Sequence, residues 1–282
     1  TTIEVNVDKR KTTDEYSVEK QLDSIDLRIL LFLPNISKIS ITIESKKLVY
    51  QRCMKESYEN SNLKHKNVIL SKIVDDEIAY SEEFKLFNKT VKKAFIEDEQ
   101  PKDVHLAIAV PVGIKRPINH LYSFFPLLDT DAPFDCIMHA TYSLGDHRNT
   151  VIANDTNKKI GEYQLDFLFQ IANFLSQKDP HCAQSILTPK HYNYNLGKIF
   201  PAAFSRLSLE DYYVKGLVNL KIFKTVTGDL VSINDGPKSI EVNFPKCFNE
   251  APFSKLLSHD VNVAPLINLI TSRLNIDIQF RA

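Results

Sequence analysis

The stretch His120-Leu-Tyr-Ser-Phe-Phe-Pro126, followed by Phe134-Asp-Cys-Ile-Met-His-Ala-Thr-Tyr-Ser-Leu-Gly-Asp-His-Arg-Asn149, carries most of what this chain says about its fold. An alternating apolar segment over residues 134–143 reads as a strand and runs into a short polar turn that presents one arginine, Arg148. Just beyond it, Asn154-Asp-Thr-Asn157 supplies helix-start residues for a long apolar-striped segment. Strand, arginine-bearing turn and helix N-terminus together put a fixed positive charge where an anion can be met. Charged loop residues also commonly do no more than pin a turn or pair with a surface carboxylate, and both readings stand here.

Working outward, residues 104–112 alternate with Val104, Leu106, Ile108 and Val110 on one side, and residues 122–127 form a second apolar run. These two segments and 134–143 are expected in one sheet. Between them lies a basic loop, 113–119, with Lys115 and Arg116. Two helices are expected to cover the sheet. One starts at Ser81, with Glu82 and Glu83 in its first turn and Phe84, Phe87, Val91, Ala94 and Phe95 on one face. The other starts near Asn157 and carries Ile160, Tyr163, Phe167, Leu168, Ile171, Phe174 and Leu175. Earlier strands are expected at 27–33, 38–43, 47–51 and 67–73, with Asp75, Asp76 and Glu77 on a solvated loop.

Asp179-Pro180 reads as the end of that unit. Beyond a stretch without clear period, a strand at 216–226, a turn at Thr227-Gly-Asp229 and a returning strand at 230–233 form a hairpin. Further strands at 239–244 and 276–280 and helices at 253–258 and 263–274 follow. Interleaved strands and helices define the fold class as α/β (α+β): a mixed sheet with covering helices over 25–180, then a smaller α/β unit over 181–282. The opening Thr1-Thr-Ile-Glu-Val-Asn-Val7 alternates like a strand, so residues 1–24 read as the end of a preceding domain plus a polar linker. The chain is expected to be a fragment of a larger protein.

Composition narrows function. A chain of 282 residues with 43% hydrophobic content and 17 Phe can bury a large core. A formal charge of zero gives no global field for nucleic acid or anionic membranes. Cys53, Cys136, Cys182 and Cys247 lie far apart without C-x-x-C or zinc-ligand spacing, which points to an intracellular, reducing (cytoplasmic) location. No membrane span is expected. Only seven glycines occur, with no G-x-G-x-x-G, Walker A, H-E-x-x-H or G-x-S-x-G pattern. A backbone cradle for phosphates needs clustered glycines, so no self-sufficient active site is legible.

Three segments carry a resemblance. Leu30-Leu-Phe-Leu-Pro-Asn-Ile-Ser-Lys-Ile39, His120-Leu-Tyr-Ser-Phe-Phe-Pro126 and Ala140-Thr-Tyr-Ser-Leu-Gly-Asp-His-Arg-Asn149 look like the region after the nucleotide-binding domain in sacsin-like GHKL ATPases, relatives of the ninety-kilodalton heat-shock chaperones. The 223–232 hairpin resembles a later element of bacterial members. In the chaperones, the middle (transducer) domain carries an arginine in a Leu-x-x-x-Arg turn before a helix, and that arginine reaches the ATP γ-phosphate. Leu144-Gly-Asp-His-Arg148 matches at leucine and arginine, while Gly145 and Ile152 stand where the chaperone motif has polar partners. Related GHKL ATPases use a loop lysine instead, which makes Lys115 and Arg116 second candidates. The resemblance implies a coupling module that supplies Arg148 to ATP and magnesium bound mainly upstream, with the preceding ATP-binding domain as partner. It also implies a segment inactive alone, and leaves a homodimer open. Two other readings remain: a protein-interaction module without catalytic role, and a nucleic-acid contact through the short basic runs Lys9-Arg10-Lys11, Lys64-His65-Lys66 or Lys92-Lys93.

Overall fold

The computed structural model describes residues 25–43, 46–56, 63–97, 100–113, 116–190, 199–225 and 227–235, together with 266 and 269. Ten strands are described: β1 (Lys38–Ile43), β2 (Lys46–Glu56), β3 (His65–Val74), β4 (Glu77–Glu97), β5 (Gln100–Val112), β6 (His120–Ser123), β7 (Phe125–Asp131), β8 (Ile137–Ala140), β9 (Phe223–Lys224) and β10 (Leu230–Val231). Four α-helices accompany them: α1 (Asp155–Ser176), α2 (Pro180–Leu187), α3 (Ala202–Ser205) and α4 (Glu210–Leu217). The first eight strands make one mixed sheet in the order β1-β2-β3-β4-β5-β8-β6-β7, so the class is α+β. All three expected central segments lie in it. Its first five strands are a run of antiparallel neighbours, whereas β6 meets β8 in parallel at Tyr122 and His139.

Both faces of the sheet are covered over its middle, which explains the largest departure from the pattern reading. The helix expected from Ser81 is strand β4, paired to β3 and β5 along most of its length. Phe84 and Leu86 enter one core cluster and Phe87 the other, so apolar residues fall on both sides and the two-residue period is blurred. Ser81 pairs with Ser71 instead of capping, and Glu82 binds Arg28 instead of sitting at a helix end. Residues 27–33, expected as a strand, form a 3-10 turn at Leu27–Leu31 capped by the Asp26 carboxylate. It buries Leu27, Ile29, Leu30 and Leu31 against the sheet, and a short all-apolar run does not distinguish the two forms.

Asp75 and Asp76 take left-handed conformations at the β3–β4 hairpin turn, where Asp is tolerated. The expected strand at 122–127 is two strands: Ser123 pairs with Phe125, and Phe124 alone makes the turn at φ 66°. The strand expected over 134–143 narrows to β8, with Cys136 buried just ahead of it.

Helix α1 is capped by Asn154 and lays Ile160, Phe167, Leu168 and Ile171 on the β4–β5 face beside Leu106 and Ile108. Asp179-Pro180, read as a terminus, opens α2: the Asp179 carboxylate accepts from Cys182 N–H, and proline suits the first helical turn. The strand expected from 216 is partly helix α4. Gly216 there lies against the Phe169 ring, where a Cβ would stand 2.1 Å from a ring carbon. The Thr227-Gly-Asp229 turn is present with Gly228 at φ 92°. One buried cluster runs from β5 through α1 to Tyr213 and Phe223, and so includes residues on both sides of 180. Residues 1–7, 239–244, 253–258 and 276–280 lie outside the described residues, as does 263–274 apart from Leu266 and Leu269.

Candidate functional site

Arg148 sits at the tip of a narrow antiparallel excursion. Leu144 bridges Val151, Gly145 N–H donates to Thr150 O at 3.1 Å, and Arg148 N–H donates back to Gly145 O at 2.7 Å. Arg148 itself is left-handed at φ 55°, an uncommon state for a long side chain that the surrounding bonds over-determine. The base of the excursion is clamped by Asn157. Its Oδ1 accepts from Ser143 N–H at 2.9 Å, and its Nδ2 donates to Ser143 O and Ile152 O, both at 2.7 Å. Asn157 N–H in turn donates to the cap residue Asn154. Asn149 O accepts from Asp129 N–H, which ties the turn to strand β7.

Against this fixed backbone the side chain is uncommitted. Arg148 is exposed, and no described residue forms an ion pair or hydrogen bond with its guanidinium. It lines an open groove of about 620 Å³ with Leu33, Phe124, Leu127, Tyr142 and Leu144. Phe125, 58% exposed, lines it as well, and so does the acidic residue Asp146.

Arg116 stands in a different groove, with Pro111, Asp131 and Lys190. Its guanidinium lies 3.8 Å from the Tyr80 ring centroid and 3.9 Å from Glu82. Arg28 fastens the loop from below, donating to Pro117 O and Arg116 O while making a bidentate pair with Glu82 at 3.0 and 2.9 Å. Lys115 lies outside the described residues, as do Lys9, Arg10 and Lys11. In the other basic runs, Lys92 pairs with Asp103 at 2.6 Å.

Behind the Arg148 groove, His139 is buried and stacked on Phe32 at 4.7 Å. Its Nδ1 accepts from Phe124 N–H at 3.1 Å, which fixes the proton on Nε2 and pins the left-handed turn residue. Burial holds this imidazole down at about 4, against the Tyr122 backbone, which favours the charged form, and with help from His105. The clamp made by Asn157 and the amide bond made by His139 are not legible in the sequence, because each reaches backbone 14 or 15 residues away.

Among the described residues no group of three His, Cys, Asp or Glu side chains is placed to hold a metal. The described glycines stand singly, so a phosphate cradle is not formed there either. No described helix is long and apolar enough to cross a membrane. No family model, curated protein or solved structure matches this chain.

Proposed function

We propose that this chain is the coupling region of a larger GHKL-type ATP-binding protein, and that Arg148 is its contact to the γ-phosphate of ATP held by a preceding domain. The observation that carries the reading is the pairing of a braced backbone with an idle guanidinium. A side chain kept only for structure is ordinarily consumed by a carboxylate or carbonyl, as Arg28 is. Phosphoryl transfer needs positive charge at the γ-oxygens as they separate, and a guanidinium brought by domain closure supplies it while coupling turnover to movement. The exposed Phe125 ring on the same groove gives that closure apolar surface to bury.

The test is ATP turnover by the protein that includes the preceding domain. Arg148→Ala is expected to lower kcat by about 10³-fold with nucleotide affinity changed only a few-fold, because the contact strengthens in the transition state. Normal turnover in that variant would end the reading. The exposed Phe125 ring also favours the second one, a protein-interaction surface without catalytic role. In that case Phe125→Ser would abolish partner capture while Arg148→Ala left ATP turnover untouched.

A further inference from the structure

A second groove, of about 610 Å³, crosses the sheet face on the other side of Phe124, which lines both. Strand register explains its composition. Asn88 stands opposite Ala107, Thr90 opposite His105, and Ala107 opposite His139, so these side chains share one face with Arg52, Met54 and Lys66. The 3-10 turn at Leu27–Leu31 packs on part of that face and leaves this part open.

Two features define what would bind. First, the charge is one-sided: the cations Arg52, Lys66 and Lys89 line the groove beside His105, and no described lining residue is a carboxylate. Arg52 is 6% exposed, and its guanidinium donates only to the carbonyls of Leu30, Leu33 and Pro34, with Nε unpartnered. Burial lowers its pKa, and no described carboxylate offsets its charge. An uncompensated buried cation is costly and projects its field into the adjoining cavity. Second, the floor is apolar, made by Met54, Ala107, Phe32 and Phe124, while Thr90 and His105 hydrogen-bond to each other at 3.1 Å on the rim.

We infer that this groove is a binding site for a small organic anion with a flat apolar body, such as an aromatic carboxylate or sulfonate. The apolar part lies between Phe32, Phe124 and Met54, and the anionic group lies toward Lys66 and His105 in the field of Arg52. A neutral ligand of the same shape loses the electrostatic part, and an inorganic anion loses the floor.

Two fluorescent probes of nearly equal shape test this on the folded protein: anilinonaphthalene sulfonate, which is anionic, and N-phenylnaphthylamine, which is neutral. The sulfonate is expected to bind at one site and at least about tenfold more tightly than the amine. Lys66→Glu is expected to weaken it about tenfold or more, Lys66→Arg to restore it, and His105→Gln to weaken it a few-fold. Arg148→Glu, in the neighbouring groove, is expected to leave it unchanged. Circular dichroism of each variant checks that the fold is kept, and Lys66→Gln serves if the glutamate variant is unfolded. Equal binding of the two probes overturns the inference. So does loss of sulfonate binding in Arg148→Glu with Lys66→Glu unaffected, which would move the anion to the other groove. ATP turnover is not part of this readout, so failure here leaves the coupling reading untouched.

Discussion

The two arginine-bearing loops, 113–119 and 144–151, are built on opposite plans. At Arg116 the side chain is engaged, stacked on Tyr80 and directed at Glu82, and Arg28 gathers its loop by two carbonyls. At Arg148 the backbone is engaged, through Gly145, Thr150 and the Asn157 clamp, and the side chain is left in water. The first plan stabilises a fold. The second holds a charge in a fixed place at the expense of a left-handed backbone, and is useful only when something arrives to meet it. Residue type does not distinguish them; the destination of each hydrogen bond does.

The strongest way to break this contrast is to exchange the substitutions. On the proposed coupling role, Arg148→Ala in the larger protein is expected to lower kcat for ATP about 10³-fold and leave thermal stability nearly unchanged, whereas Arg116→Ala leaves kcat within a few-fold. Stopped-flow turnover beside calorimetric melting separates the two outcomes, and a reversal would assign the phosphate contact to the 113–119 loop. Next in size is Arg28→Met, which strands the Glu82 carboxylate beside a buried surface; unfolding in urea is expected to show a loss of about 3–4 kcal/mol. Little change there would mean that Glu82 finds water or Arg116 instead.

The His139 imidazole sharpens the comparison through pH. Its folded value of about 4 lies below the ordinary 6.5, so the unfolded chain takes up the proton first. The stability it contributes is complete above pH 6.5 and is lost as pH falls towards 4, by about 3 kcal/mol. Urea melts across that window should show the slope in the native chain and a flatter one in His139→Gln. Asn157→Ala is expected to cost about 2 kcal/mol and, on the proposed coupling role, to reduce kcat in the larger protein more than stability alone explains, since the clamp that aims Arg148 is gone. Smallest is the exposed Lys92–Asp103 pair: urea melts of Lys92→Ala should overlay those of the native chain.

Local chemistry was legible where a residue acts on its own neighbours in the chain. The Asn154 cap, the helix after it, the Gly228 turn and the polar Arg148 turn follow from short-range rules that hold in any context. So do β1, β2, β3 and β5, whose alternation or β-branched content is plain. The largest misreading falls where both faces are buried. Residues 77–97 carry phenylalanines that suit a helix stripe as well as a two-sided strand, and pairing with β3 and β5 decides between them.

The sequence by itself determined the α+β class, the neutral charge, and the strand–turn–helix unit that presents Arg148. Tertiary structure alone decided that β4 is a strand, that Phe124 turns the chain with His139 holding its amide, and that Arg116 is engaged while Arg148 is not. The physical reason is range. Capping and turn chemistry are settled within about four residues, whereas burial on two faces and the pairing of a charge depend on groups far away along the chain, such as Arg28 with Glu82, 54 residues apart.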